Sequence, residues 1–181
     1  VRLWRGFMTA RVTVGVLLLL LQVSMVGLGQ PVHKWLMALS AAYLAVTLAV
    51  RIYARPRWPG QNFDPQWVFT IGVDVLVFTA LQFSQVSAIN YTPLYALPVL
   101  LASVLGSVLL ALGTAAGVTL ILLMDAWRTS LQATGDMASH FLQAGLAGIG
   151  LFIVAYLTHQ LATRLVREEL RARRSGLAVR I

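Results

Sequence analysis

Ionisable and hydroxyl-bearing residues inside long apolar segments could form a buried hydrogen-bonded network. Asp74 lies in "FTIGVDVLVFTALQF", an apolar run with no lysine or arginine within a helical turn. A charge in hydrocarbon costs several kcal/mol unless it is paired or hydrated. We therefore expect Asp74 to pair with Arg11 or His159, and a tyrosine hydroxyl, from Tyr43 or Tyr156, to complete the network.

The positions of these five residues along their segments place them in one layer. Asp74 follows Trp67 by seven residues, which is about 10 Å of helical rise. The other four lie four to eight residues from the aromatic or basic residue that bounds their own segment. Two interpretations stay open: a static structural pair with His159 reaching to the membrane interface, or a pair coupled to a signal.

Patterns that support catalysis or metal binding are missing from the sequence. The chain has no HExxH, no GxSxG with a partnered histidine, no paired-aspartate array and no phosphate loop. Four scattered residues on short loops could meet as a metal site, but such residues are more often solvated: His33, Asp125, Asp136 and His140. We expect no catalytic residue, no metal and no cofactor in this chain.

The composition identifies a membrane protein. Hydrophobic residues make up 59% of the 181 and charged residues only 11%, against roughly half and a quarter in soluble domains. The net charge of +8 comes mostly from arginines at the ends of apolar runs, where they set orientation, so nucleic acid is not an expected partner. The absence of cysteine excludes disulfides and thiolate chemistry.

Apolar runs near the length that crosses a bilayer, about 20 residues, predict the fold. The stretch between Asp74 and Asp125 carries no charge and is either one over-long helix or a tight pair turning at Gly106 and Ser107. Arginines cluster at both termini, and the positive-inside rule then requires an even number of crossings. We predict an all-α bundle of six transmembrane helices with both termini cytoplasmic, spanning about 7–28, 35–52, 67–83, 87–105, 108–126 and 141–161.

Two segments follow from this arrangement: a transmembrane domain over 1–163 and a cytoplasmic linker helix over 164–181. The first span has features of a signal peptide, but its apolar core is too long and its removal would leave an odd number of spans. The chain starts at Val1 and stops at Ile181 directly after a charged stretch, which is typical of an excised fragment.

Small residues and prolines mark candidate contact points between helices. Ala42 and Ala45 in the second span, and Gly113 and Gly117 in the fifth, would allow close approach of another helix. Ordinary packing within the bundle explains them more simply than a dedicated partner surface. Pro98 lies far enough into the fourth span to kink it.

The charged tail is predicted to continue the sixth span as one helix. Glu168 and Arg171, and Glu169 and Arg173, are spaced to pair on a helix. A faint heptad is typical of dimeric signalling helices, and we assign the signal-transmitting linker to Leu165, Val166, Leu170 and Leu177. The alternative is a basic helix lying on the inner leaflet.

Four blocks resemble the N-terminal membrane region of PilS-type sensor histidine kinases: "LWRGFMTARV", "NYTPLYALPVLLASVLGS", "ALGTAAGVTL" and "RARRSGLAVRI". The likeness spans essentially the whole chain. It implies a sensor module in the bacterial inner membrane that precedes a cytoplasmic PAS domain and a kinase region, both absent here. The fragment itself would be no enzyme, and ATP and Mg would serve only the absent kinase.

The resemblance also implies partners. Besides the lipid bilayer, these are a pilin subunit sensed through the membrane helices, a second copy in a homodimer of the full-length kinase, and the response regulator PilR, which controls type IV pilus genes. The alternative function is a small six-helix carrier subunit that binds a vitamin-like substrate. Short outer loops and the projecting charged helix disfavour this alternative.

Overall fold

The fold is entirely helical in the part of the chain that the computed structural model describes, residues 2–29, 33–53, 65–84, 90–132 and 137–178. Within these residues there are six α-helices, one 3-10 helix and no strand. The α-helices are α1 Arg2–Gly27, α2 Lys34–Tyr53, α3 Pro65–Phe83, α4 Ala96–Leu105, α5 Val108–Gln132 and α6 Met137–Ala178, and the 3-10 helix Thr92–Tyr95 directly precedes α4.

Four of these helices are long and apolar enough to cross a membrane, namely those containing Gly6–Gly27, Lys34–Ile52, Val108–Leu131 and Met137–Glu168. The other two apolar helices are shorter, Val68–Phe83 and Thr92–Leu105. Each predicted span overlaps a helix. The fourth, 87–105, does so only in part: residues 87–89 lie outside the described residues, 90–91 are not helical, and the rest is the 3-10 helix Thr92–Tyr95 and the ten-residue α4.

The chain divides into two compact units, residues 1–60 with 76–91 and residues 61–75 with 92–181. In the first unit α1 and α2 pack as an antiparallel pair. A Cβ on Gly15 would lie 3.1 Å from Leu44 Cδ1, so the backbone of α1 closely approaches α2 there. The side chains of Gln22 and Ser40 meet further along the same seam.

In the second unit α5 and α6 form an antiparallel pair, with α4 packed against both. Gly148 of α6 lies against Thr119 of α5, whose side chain fills the space that a Cβ would need. Toward the other end of the pair, the rings of Trp127 and Phe141 meet edge to face with centroids 6.3 Å apart. These two contacts define the register of α5 on α6.

The predicted turn at Gly106 and Ser107 is confirmed. Gly106 ends α4 in an extended conformation, and its N–H donates to the Ala102 carbonyl at 2.9 Å. A Cβ at this position would lie 2.6 Å from that carbonyl oxygen and 2.6 Å from Leu110 Cδ2, so the close approach requires glycine. The Ser107 hydroxyl accepts from the Leu110 N–H at 3.3 Å at the start of α5.

The expected kink at Pro98 is wrong. Pro98 lies in the first turn of α4, where an α-helix tolerates a proline because the N–H of that turn needs no intrahelical partner. The chain instead changes there from 3-10 to α geometry, between Tyr95 and Ala96. The irregularity is a junction between two helix types at the beginning of the fourth helix.

The last helix confirms the predicted continuation of the sixth span. α6 is one helix of 42 residues, and it includes Ser175 and Gly176, which have weak helix propensity. The register of α5 on α6 places the first residue of α5 roughly level with residue 160 of α6. Beyond that level α6 extends by about 25 Å past the α4–α5 turn.

We predict that Gly148→Ala destabilises the second unit by about 1–3 kcal/mol, because the new methyl group overlaps Thr119 in an already packed contact. Thr119→Ala in the same chain should restore most of this loss. The measurement is reversible unfolding in mixed micelles, followed by circular dichroism.

The matched control is Gly150→Ala, since a Cβ at Gly150 meets no atom within 4 Å. That variant should be neutral, or stabilised by up to about 1 kcal/mol through its better helix propensity. Equal effects of the two substitutions would contradict the close contact between α5 and α6.

Candidate functional site

Three of the five residues predicted to form the intramembrane network are buried. Asp74 is 0% exposed, Tyr43 2% and Arg11 3%. Arg11 and Tyr43 belong to the first unit, on α1 and α2, whereas Asp74 lies in the stretch of α3 that belongs to the second. The network that would join them stays a prediction.

The depths of Arg11 and Tyr43 differ more than the sequence suggested. The contacts of Gly15 with Leu44 and of Gln22 with Ser40 set the register between α1 and α2. Helical rise then places Arg11 roughly level with residues 48–51, about 10 Å along the pair from Tyr43. The ring of Tyr43 packs instead against Phe78, with centroids 5.6 Å apart.

The sequence reasoning missed a buried polar contact between α1 and α2. The Gln22 Nε2 donates to the Ser40 hydroxyl at 2.8 Å, and the two residues are 2% and 0% exposed. Gln22 Oε1 makes no hydrogen bond within the described part of the chain. The available signal was a single amide in the run "VLLLLLQV", because a polar group in an apolar span usually faces another helix.

His159 links the last helix to α4. Its Nδ1 lies 3.0 Å from the Ser103 carbonyl oxygen, and a carbonyl only accepts, so this nitrogen carries the proton. Ser103 is buried, and its own hydroxyl donates to the Val99 carbonyl at 2.6 Å. The partner of the His159 Nδ1 is therefore a backbone carbonyl rather than Asp74.

Tyr156 lies one turn before His159 on the same side of α6. It is 52% exposed, while Leu151 and Ala155 on the same helix are buried. The predicted hydrogen bond of its phenol within the network stays a prediction.

The small-residue stripes are open rather than packed. Ala42 and Ala45 are exposed on α2, on the opposite side from the contact of Leu44 with Gly15. On α5, a Cβ at Gly113 or Gly117 would meet no atom within 4 Å. Ordinary packing within either unit does not account for these positions in the described residues.

The residues assigned to the linker all lie in α6. Leu165 is 66% exposed and Val166 55%, so neither is covered by α4 or α5. Leu170 and Leu177 continue the same helix. From residue 164 to residue 178 the backbone of the linker is thus an unbroken extension of the last membrane helix.

In the part of the chain that the structure describes, residues that could ligate a metal do not cluster. Within the described ranges no three His, Cys, Asp or Glu side chains come together, and Asp136 lies outside them. Asp125 Oδ1 lies 3.7 Å from Arg128 Nη2 on the next turn of α5, as a local ion pair.

Comparison with known proteins identifies one family. The sequence matches the family described as PilS-like transmembrane domain over residues 1–172. No curated protein and no solved structure matches the chain. With its helical bundle and a match over nearly its whole length, this multi-pass membrane protein belongs to the family of six-helix PilS-like transmembrane domains.

Proposed function

We propose that the chain is the input module of a two-component sensor histidine kinase in the bacterial inner membrane. In this proposal it senses pilin within the bilayer, and its last helix passes the signal to PAS and kinase regions that act on PilR and so on type IV pilus genes. Family membership supports a membrane sensor module of a histidine kinase in general. Both termini would then be cytoplasmic.

The observation that carries the proposal is the continuity of α6. A helix of 42 residues that packs against α4 and α5 and then extends past their turn can convert a shift inside the bundle into a movement outside it. The link from His159 to the Ser103 carbonyl joins α6 to the end of α4, so a displacement of α4 would reach α6 directly. In the full-length kinase α6 would pair with that of a second copy.

Two open surfaces could accept the apolar helix of a pilin. One is the small-residue stripe of α2 around Ala42 and Ala45, and the other is the stripe of α5 around Gly113 and Gly117. Small residues let helix backbones approach closely in lipid, where apolar burial gives no net driving force. Within the described residues Ala42 and Ala45 are exposed and a Cβ at Gly113 or Gly117 meets no atom within 4 Å, so larger side chains there should leave each unit intact.

The buried carboxylate is the proposed node between input and output. Asp74 is fully buried, and an intramembrane ionisable group by default has a functional role. In the full-length protein, a change in the groups that surround the Asp74 carboxylate would alter the packing of the helices around α3. We propose the signal-coupled interpretation over the static one.

We predict that Ala42→Leu with Ala45→Leu, or Gly113→Leu with Gly117→Leu, reduces photo-crosslinking of pilin to the full-length protein by at least fivefold. The extra volume would hold the two backbones apart. A fivefold change corresponds to about 1 kcal/mol of lost contact energy. The control is Leu146→Phe, which enlarges an exposed apolar residue of α6 outside both stripes. Unchanged crosslinking in both stripe variants would refute helix docking at these surfaces.

We predict that Asp74→Asn shifts kinase output in reconstituted full-length protein several-fold while lowering the stability of the bundle by at most about 3 kcal/mol, the range for hydrogen bonds to charged groups. Autophosphorylation and micelle unfolding are measured on the same preparation. Asp125→Asn is the control, since that carboxylate pairs locally with Arg128. If Asp74→Asn leaves both output and stability untouched, the proposed role is wrong.

We predict that Leu165→Pro uncouples pilin from kinase output, because proline in a helix interior costs about 3 kcal/mol and breaks the hydrogen-bond ladder of α6. Leu165→Ala should retain coupling, since this side chain is 66% exposed and its loss removes little packing. The readout is the ratio of autophosphorylation with and without pilin. Retained coupling in the proline variant would exclude transmission through a continuous helix.

A further inference from the structure

A cleft of about 250 Å³ lies between the end of α4 and the continuing part of α6. Val104 and Gly106 form one side, and α6 contributes the other with residues from His159 to Arg167. This is the level at which α5 begins and beyond which α6 extends past both neighbours. The cleft therefore lies where the apolar part of α6 changes into its basic part.

The α6 side of the cleft is amphiphilic. His159, Thr163 and Arg167 are spaced by four residues and so follow one another along a single face of the helix. Ala162 and Val166 form an apolar ridge beside them. A ligand in this cleft would meet hydrocarbon on one flank and polar groups ending in a cation on the other.

The hydrogen bonds of the polar row identify the residue that would recognise a ligand. The Nδ1–H of His159 is donated to the Ser103 carbonyl, and the Thr163 hydroxyl donates to the carbonyls of His159 and Gln160 at 3.0 and 2.9 Å. Arg167 is exposed and is the cationic residue among those that line the cleft. A guanidinium presents a planar array of donors that matches phosphate oxygens.

We propose that this cleft binds the headgroup phosphate of an anionic phospholipid, with Arg167 holding the phosphate and an acyl chain lying along Val104 and Val166. The cleft is smaller than the roughly 300 Å³ at which sites for whole drug-sized ligands begin, so it suits a headgroup whose chains stay in the bilayer. Arg164 and Arg171 on the adjacent turns add positive potential, and basic pockets between membrane helices favour anionic headgroups.

A lipid bound here would touch both helices that His159 already links. It would add a second connection between the end of α4 and α6 at the point where α6 leaves the unit. Lipid composition would then set how firmly the output helix is held, independently of any signal from a protein partner.

The test is native mass spectrometry of the chain in a neutral detergent, titrated with dioctanoyl phosphatidylglycerol or dioctanoyl phosphatidylcholine. We expect a saturable site for phosphatidylglycerol. Arg167→Gln should weaken it at least tenfold, because the substitution removes a charge-assisted hydrogen bond to the phosphate as well as the charge. Ala162→Phe should weaken it at least as much by filling the cleft without changing any charge.

The matched control is Arg164→Gln, which removes an identical charge one turn away at a residue that does not line the cleft. It should weaken binding less than twofold. Equal losses from Arg164→Gln and Arg167→Gln would overturn the proposal in favour of diffuse charge attraction. Equal binding of phosphatidylcholine would overturn it as well, and displacement by millimolar inorganic phosphate would assign the site to a free anion.

Discussion

Every backbone N–H and C=O inside a bilayer must be hydrogen-bonded within the protein, and this constraint determines the rest of the structure. It makes each apolar segment a helix. Because lipid tails are as apolar as the side chains, the hydrophobic effect gives no net force between these helices. Association then depends on close backbone approach and on polar contacts. Both are present: Gly15 lies against Leu44 and Gly148 against Thr119, while Gln22 bonds to Ser40.

The same constraint explains how α6 can extend past its neighbours. A helix of this kind is costly to nucleate and cheap to propagate, and the apolar part of α6 provides the nucleus. Each residue that follows only adds one backbone hydrogen bond to a helix that is already formed. The predicted charge pairs, such as Glu168 with Arg171, would favour this continuation. The extension is thus coupled to the bundle by its backbone, and the link from His159 to Ser103 fixes the point at which it departs.

Much of the fold could be predicted from the sequence, because bilayer thickness and apolar length determine where helices lie. The turn at Gly106 follows from the glycine and from the even number of crossings that the arginines at both termini require. The 3-10 start of α4 could not be predicted, since Pro98 is compatible with both a kink and a first turn. The hydrogen-bond partner of His159 could not be predicted either, because it is a backbone carbonyl and every residue type has one.

The sequence predicted which residues belong to the candidate site but not how they are arranged in space. The depth of Asp74 in its segment predicted a buried carboxylate, and it is fully buried. Tyr156 shared a predicted layer with His159 and lies on the same side of α6, but depth in the membrane does not determine burial against other helices, and Tyr156 is 52% exposed. The glycine and alanine stripes predicted contact surfaces, yet only a structure could distinguish packed from open ones.

The central claim is that α6 is one continuous helix held by the bundle, and hydrogen exchange of its backbone amides tests it most directly. In nanodiscs the account predicts protection that decreases gradually from residue 160 to residue 172, with no break at Arg164. The account would be contradicted if the amides from Arg164 onward exchanged as fast as those of an unfolded chain while the amides before Arg164 were protected.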